Sequence, residues 1–442
     1  MDIPFFQFLL FLFVGIALII LLTAKYRVHA FFSLMIASLV VGFGLQIPAL
    51  EIIADMKEGF GSIMKSLGFI IVLGTLLGLL LGHTGSSRVI AEFILRKTGK
   101  KNAALGISIT GLIIGLPVFC DSGYIVLSGI NQTLSRRSGI PLITTSVSLA
   151  TGLLSVHCLI PPHPGAATAA ATLGVDFGKL IITGIIIAVP AMLTGYWWAS
   201  FAGKKIGITN KEEITETSLP QEGPGLIQSF LPVLVPIFLI ALKSFILMGK
   251  TLSGNLPHIL SFLGDPIIAL SIGVLLAFSN GRLLNRDKLS KILLESVEKA
   301  GSILVIIGAG GSFGAVLAAG KVGDHLSHQF SLGSLGLFFP FLLTAIIKTA
   351  QGSSTVAIIT ASSIILPLLP ALGLDTETGR LLTVLSMGAG SMIISHANDA
   401  YFWVIVNFSG LGMNSMLKVY SLSTLLMGLI SFGMVYLLSL IL

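Results

Sequence analysis

Apolar runs follow one another from the first residues of the chain to the last, separated by short polar stretches. They fall roughly at 5–24, 30–48, 66–82, 103–119, 124–134, 141–173 and 178–200, then at 227–247, 258–279, 301–319, 333–350, 355–370, 379–410 and 417–442. Many approach the roughly 20 residues that a helix needs to cross hydrocarbon. The pattern predicts an all-α polytopic membrane protein. The opening run, Phe5 to Leu22, has neither a basic leader nor a small-residue cleavage site, so it is expected to stay as a helix rather than act as a signal peptide. One hydrophilic stretch is long, Lys204 to Gly225. It reads as a cytoplasmic linker (204–226) between a first repeat (1–203) and a second (227–442).

Basic residues set the orientation, because short cytoplasmic loops are enriched in Lys and Arg. The loop carrying Arg88, Arg96, Lys97, Lys100 and Lys101 and the next one, carrying Arg136 and Arg137, are both strongly basic. A single crossing over 103–134 would put them on opposite sides. The conflict disappears if this segment enters, turns near Pro117 and leaves the way it came, as a re-entrant hairpin. The two halves then share one layout. Hairpins are expected at about 103–134 and 333–370, and broken helices at about 141–173 and 379–410. The interruptions correspond at an offset of about 232 residues. About five full crossings per half, ten in all, would turn the second copy upside down, giving inverted-topology repeats with broken helices meeting at the midplane.

Composition sharpens this picture. The 442 residues are 54% hydrophobic and 10% charged, where a soluble domain would carry about a quarter charged residues. Mean hydropathy is +0.99. The net charge of +7 sits mostly in short loops and reads as topology rather than nucleic-acid binding. Cys120 and Cys158 lack metal-ligand spacing, so no metal or cofactor is expected. Zinc-protease, intramembrane aspartyl-protease and prenyl-transfer motifs are missing from the sequence, which argues against an enzyme.

Candidate chemistry lies at the interruptions, since ionisable groups at membrane depth usually have a task or a partner. At the first tip, Asp121 precedes Ser122 and Gly123. Asp121 can carry a proton or bond a substrate, or it can cap the returning helix. His163, held between Pro162 and Pro164, is a candidate ligand partner, while His157 reads as structural. In the second half Lys348 stands beside Gln351, Gly352, Ser353, Ser354 and Thr355. A cation next to a hydroxyl-rich helix start suits a carboxylate; the alternative is a lysine paired with an acid. His396, Asn398 and Asp399 form the last cluster, with Asp399 able to carry a proton or a cation. Asn131, Gln132, Asp265 and Asp324 lie nearer segment ends and are expected to cap helices or face water.

The stretches Gly115-Leu116-Pro117-Val118-Phe119-Cys120-Asp121-Ser122-Gly123, Pro161-Pro162-His163-Pro164-Gly165, Ala350-Gln351-Gly352-Ser353-Ser354-Thr355-Val356-Ala357 and Ser395-His396-Ala397-Asn398-Asp399 resemble the gluconate permease family, the gluconate:proton symporters of the ion-transporter superfamily. The resemblance covers nearly the whole chain. It implies a multi-pass bacterial inner-membrane protein, a homodimer, importing gluconate or a related aldonate or glycerate with protons. Sodium-coupled carboxylate transport and cation/proton antiport are the alternatives on the same architecture. The chain departs from the family pattern at Asp121, where gluconate permeases carry glutamate, and near Lys348, where they carry arginine. A lysine lacks the two-pronged fork that arginine offers a carboxylate.

Overall fold

The computed structural model describes residues 5–206, 223–248, 256–279, 285–320, 335–396 and 399–441. Helices dominate, and no strand occurs among the described residues. The first half runs α1 (Phe5–Ile20), α2 (Ala30–Gly44), α3 (Ala49–His83), α4 (Ser86–Thr98), α5 (Ala103–Gly115), α6 (Cys120–Ser138), α7 (Leu142–Leu159), α8 (Pro164–Leu173) and α9 (Phe177–Ile206). The second runs α10 (Leu226–Met248), α11 (Leu256–Leu263), α12 (Pro266–Ser279), α13 (Arg286–Ala319), α14 (Phe338–Gln351), α15 (Ser354–Ile365), α16 (Glu377–Met392), α17 (Ala400–Ser409) and α18 (Leu422–Ser439).

The order and the packing repeat. From Cys120 to Ser354 and from Pro164 to Ala400 the helix starts are offset by about 235 residues. In the first half α5 packs on α7 and α7 on α9; in the second, α14 packs on α16 and α16 on α18. The halves join through α3 with α13, α8 with α15, and α9 with α18. Helix breaks occur where expected, at 116–119, 160–163, 352–353 and 393–399. Residues 397–398 of the last break, 207–222 of the expected linker and 333–334 at the start of the second hairpin lie outside the described residues.

Among the described residues six helices are long and apolar enough to cross a membrane by length and composition. The one over Leu142–Leu173 is interrupted at 160–163, and its apolar window is fully buried inside the protein. Buried position is what allows the interruption, since backbone freed from helical bonding is not tolerated against lipid.

Two segments differ from the sequence-based expectation. The polar stretch 51–65 and the apolar run 66–82 form one continuous helix of 35 residues, about 52 Å long at 1.5 Å per residue. Ile52, Met56, Ile63 and Leu67 bury one face, while Lys57, Glu58 and Lys65 stay outside. That amphipathic spacing carries the helix through its polar part, with no proline to stop it. Its counterpart α13, of 34 residues, likewise fuses a polar start to an apolar run. The two long helices cross closely at Gly59 and Gly311: a Cβ on Gly59 would stand 2.3 Å from the Gly311 carbonyl oxygen. Small residues permit this approach, and the Ser312 hydroxyl donates to the Met56 carbonyl at 2.8 Å across it. The second difference is the run 258–279, which divides at Gly264 into α11 and α12. Asp265 caps α12, accepting from Ile267 N–H at 2.9 Å, as expected of it.

Candidate substrate site

Each break is built by local sequence. Pro117 removes a backbone donor after α5, and α6 restarts at Cys120. Pro164 stands in the first turn of α8, where its missing N–H costs nothing. Gly352 adopts φ +92°, a conformation open to glycine, and ends α14. The Ser353 hydroxyl then caps α15 by accepting from Val356 N–H at 3.2 Å. Asp399 caps α17, its Oδ1 accepting from Tyr401 N–H at 2.9 Å.

These four restarts meet around one cavity of about 460 Å³. Its wall includes Cys120 and Asp121 from α6, Pro164 from α8, Ser354 to Val356 from α15, and Ala400 and Tyr401 from α17. Four helix N-termini thus border a single space, two from each half. The starts of α8 and α15 touch: a Cβ on Gly165 would lie 3.3 Å from the Thr355 Cα. Unpaired N–H groups and the helix dipole make such ends attractive to anions. Two of the four already have an acid beside them, Asp121 in the first turn of α6 and Asp399 at the cap of α17. The ends of α8 and α15 do not. The electropositive part of the cavity is therefore the Pro164–Thr355 side, where Gln351, Ser353, Ser354 and Thr355 add polar groups.

Of the residues singled out from sequence, Asp121, Gln351, Ser353, Ser354, Thr355 and Asp399 line this cavity. The others have different places. Ser122 lies behind the wall beside Pro117 and Thr75. Gly123 is buried against Leu153. Asn398 falls outside the described residues.

The histidines reverse the sequence-based ranking. His157 lines the cavity, and its Nε2 lies 3.3 Å from the Thr355 hydroxyl, bridging the two halves. His163 is 1% exposed and does not line the cavity; its Nε2–H donates to the Gly115 carbonyl at 2.6 Å. His396 does the same in the second half, donating to the Thr349 carbonyl at 3.1 Å. Both histidines bond carbonyls in the last turn of a helix before its break. Each thereby ties one broken helix to the helix that ends at the preceding break.

Lys348 is 2% exposed and forms an ion pair with Asp399, Nζ to Oδ2, at 3.4 Å. The Ser395 hydroxyl donates to the same carboxylate oxygen. Insertion scales put about 2.5–3.5 kcal/mol on a charged side chain at membrane depth, and each of these two groups has the other as its partner there. The lysine reaches the cavity through this acid rather than as part of the wall. Asn131 is another difference: it is buried, and its side chain donates to Ser146 at 2.9 Å instead of capping a helix or facing water. Gln132 does reach the surface, where it donates to the Phe408 carbonyl. Sequence reasoning also missed Phe119, Ile303, Ile306 and Val404 in the wall. Phe119 lies in the first break, inside a stretch already singled out, whereas Ile303, Ile306 and Val404 are ordinary apolar residues of ordinary helices that nothing in their sequence context distinguishes.

A family model described as the GntP family permease matches residues 7–441. The chain belongs to the GntP permease family. Relatives are similar over almost their full length. A gluconate permease of Pseudomonas aeruginosa is 33% identical over 436 residues, covering 97% of this chain and 96% of the relative. A high-affinity gluconate transporter of Escherichia coli is 30% identical, covering 92% and 94%. An L-idonate transporter of the same species is 29% identical, covering 92% and 93%. The fold is also that of the Alcanivorax borkumensis YdaH transporter, with a TM-score of 0.65 at 17% identity, covering 89% and 90% of the two chains. As a member of a permease family, the chain is a multi-pass membrane transporter and not an enzyme.

Proposed function

We propose that the protein imports a small hydroxylated carboxylate, of the gluconate and idonate class, across the inner membrane together with protons. The observation that carries this reading is the meeting of four helix N-termini around one cavity, with two of them lacking an acid of their own. The substrate carboxylate sits against the starts of α8 and α15, near Gln351 and Thr355. His157 adjoins that same edge, and the hydroxyls extend from there toward Asp121, whose carboxylate accepts hydrogen bonds. The named activities of the gluconate and idonate relatives fit that chemistry.

The two halves act as inverted repeats, and alternate exposure of the cavity moves the acid from one face to the other. A proton fits the coupling role better than sodium. The ammonium of Lys348 already stands as a fixed cation against Asp399, where a sodium ion would need that carboxylate for itself.

Purified protein in proteoliposomes tests the reading. Radiolabelled gluconate, L-idonate and D-glycerate are offered under an imposed pH gradient, acid outside, or an imposed sodium gradient. Accumulation of at least one acid under the pH gradient is expected. Accumulation driven by sodium alone moves the protein to sodium-coupled carboxylate transport. A response of internal pH to sodium with no acid uptake makes it an antiporter.

A further inference from the structure

The ion pair between Lys348 and Asp399 has a consequence for stoichiometry. It joins the last turn of α14 to the cap of α17, two elements that end at different breaks. Lys348 is 2% exposed and Asp399 8%. Among the described residues no hydrogen bond reaches the ammonium, so Asp399 is its counter-ion. Asp399 in turn lines the cavity, while Lys348 does not.

Ser395 donates its hydroxyl to this acid. Among the described residues Cys120 from α6, Cys158 from α7 and Tyr420 from the turn Leu417–Ser421 before α18 lie within electrostatic range, and all three are buried. Tyr401 binds the acid through its backbone N–H. Asp399 and Ser354, at the start of α15, line the same cavity, which brings the ion pair to the space where the carboxylate is placed. Asp121 faces the same space from α6, with its Oδ1 accepting from Ser122 N–H.

We propose that Asp399 is the proton-binding residue and that substrate anion and Asp399 alternate as the counter-charge of Lys348, so that one proton accompanies each monoanionic acid and transport is electroneutral. The inference rests on the transport reading above. In the empty carrier Lys348 is neutralised by Asp399. When Asp399 takes a proton, the ammonium loses that partner, and a carboxylate at the Gln351–Thr355 edge replaces it. Both states leave the pair region neutral. A carrier holding substrate without the proton would have one excess negative charge, and one holding the proton alone an excess positive charge. Buried net charge disfavours these half-loaded forms, and disfavouring them is what couples the two fluxes.

The test needs the full-length protein in proteoliposomes with labelled gluconate. For the wild type, a 1:1 electroneutral symport predicts about tenfold accumulation per unit of imposed pH difference, alkaline inside, because tenfold in concentration is the free-energy equivalent of one pH unit. Clamping the membrane potential at either sign with potassium and valinomycin should leave that ratio unchanged. Asp399→Asn keeps the acid's shape and fixes the neutral state. It is expected to exchange internal for external gluconate at all pH values while gradient-driven accumulation disappears. A wild-type ratio that follows the clamped potential overturns electroneutral coupling. Accumulation that survives in Asp399→Asn returns the proton to Asp121. Should the variant fail to fold, the potential clamp on the wild type still decides. Failure of the wild type to take up any of the three acids would instead overturn the transport reading itself.

Discussion

The first helix breaks of the two halves are tied down in the same way and differ in chemistry. In the first half His163 donates to the carbonyl of Gly115, and in the second His396 donates to that of Thr349. One residue before each bonded carbonyl stands Ile114 in the first half and Lys348 in the second. At the second position of the returning helix the order is reversed: Asp121 is acidic, while Thr355 is a neutral hydroxyl. The first restart has no side-chain cap, whereas Ser353 caps the second. What the halves keep in common is the bonding that a broken helix requires. What they vary is charge. A repeat fold can thus hold its geometry with one set of residues and make a polarised binding site with another.

The largest effect is expected at the charged member of that comparison. Lys348→Met gives the second tip the apolar character of Ile114 and leaves Asp399 buried without its partner. Breaking a buried pair on one side costs about 3–5 kcal/mol, so the thermal midpoint in detergent should fall steeply and uptake should vanish. Adding Asp399→Asn should restore most of the stability and none of the uptake. If the single variant melts like wild type, the pair is not the internal charge balance of the site.

The stapling histidines come next. His163→Ala strands a buried carbonyl at the end of α5, a loss of about 1–3 kcal/mol. His396→Ala should cost less, because that side chain is only partly buried and water can take its place. Equal melting shifts for the two variants would show that burial does not separate them. Thr355→Val removes the hydroxyl that meets His157 across the halves. A single hydrogen bond is worth about 0.5–1.5 kcal/mol, which predicts a loss of about that much stability and, because the same hydroxyl borders the substrate, a KM for gluconate raised roughly two- to tenfold. The smallest effect belongs to the surface pair of Lys179 and Glu377, which also links the halves. Exposed ion pairs contribute about 0–1 kcal/mol, and Lys179→Gln should change neither melting nor uptake beyond that.

Much of the architecture was legible in the chain. Apolar runs, prolines and glycines located the helices and all four breaks, because a helix must stop where its backbone cannot bond and a membrane tolerates such stops only inside protein. The apolar run expected at 66–82 begins earlier in the structure, as a helix from Ala49, for a related reason. Hydropathy changes along that stretch, yet the helical spacing of Ile52, Met56, Ile63 and Leu67 continues without interruption.

The sequence by itself determined an all-helical membrane transporter of one family, with its polar chemistry confined to four interruptions. It also singled out most of the polar wall, since hydroxyls, Gln351 and the two acids stand out in an apolar chain. Only the tertiary structure decided what each group faces. His157 and His163 are six residues apart and chemically identical, but one borders the cavity and the other bonds Gly115 from behind it. Lys348 and Asp399 are 51 positions apart in the chain and 3.4 Å apart in space. Such pairings depend on how separate helices dock, and local sequence holds no record of the docking partner's register.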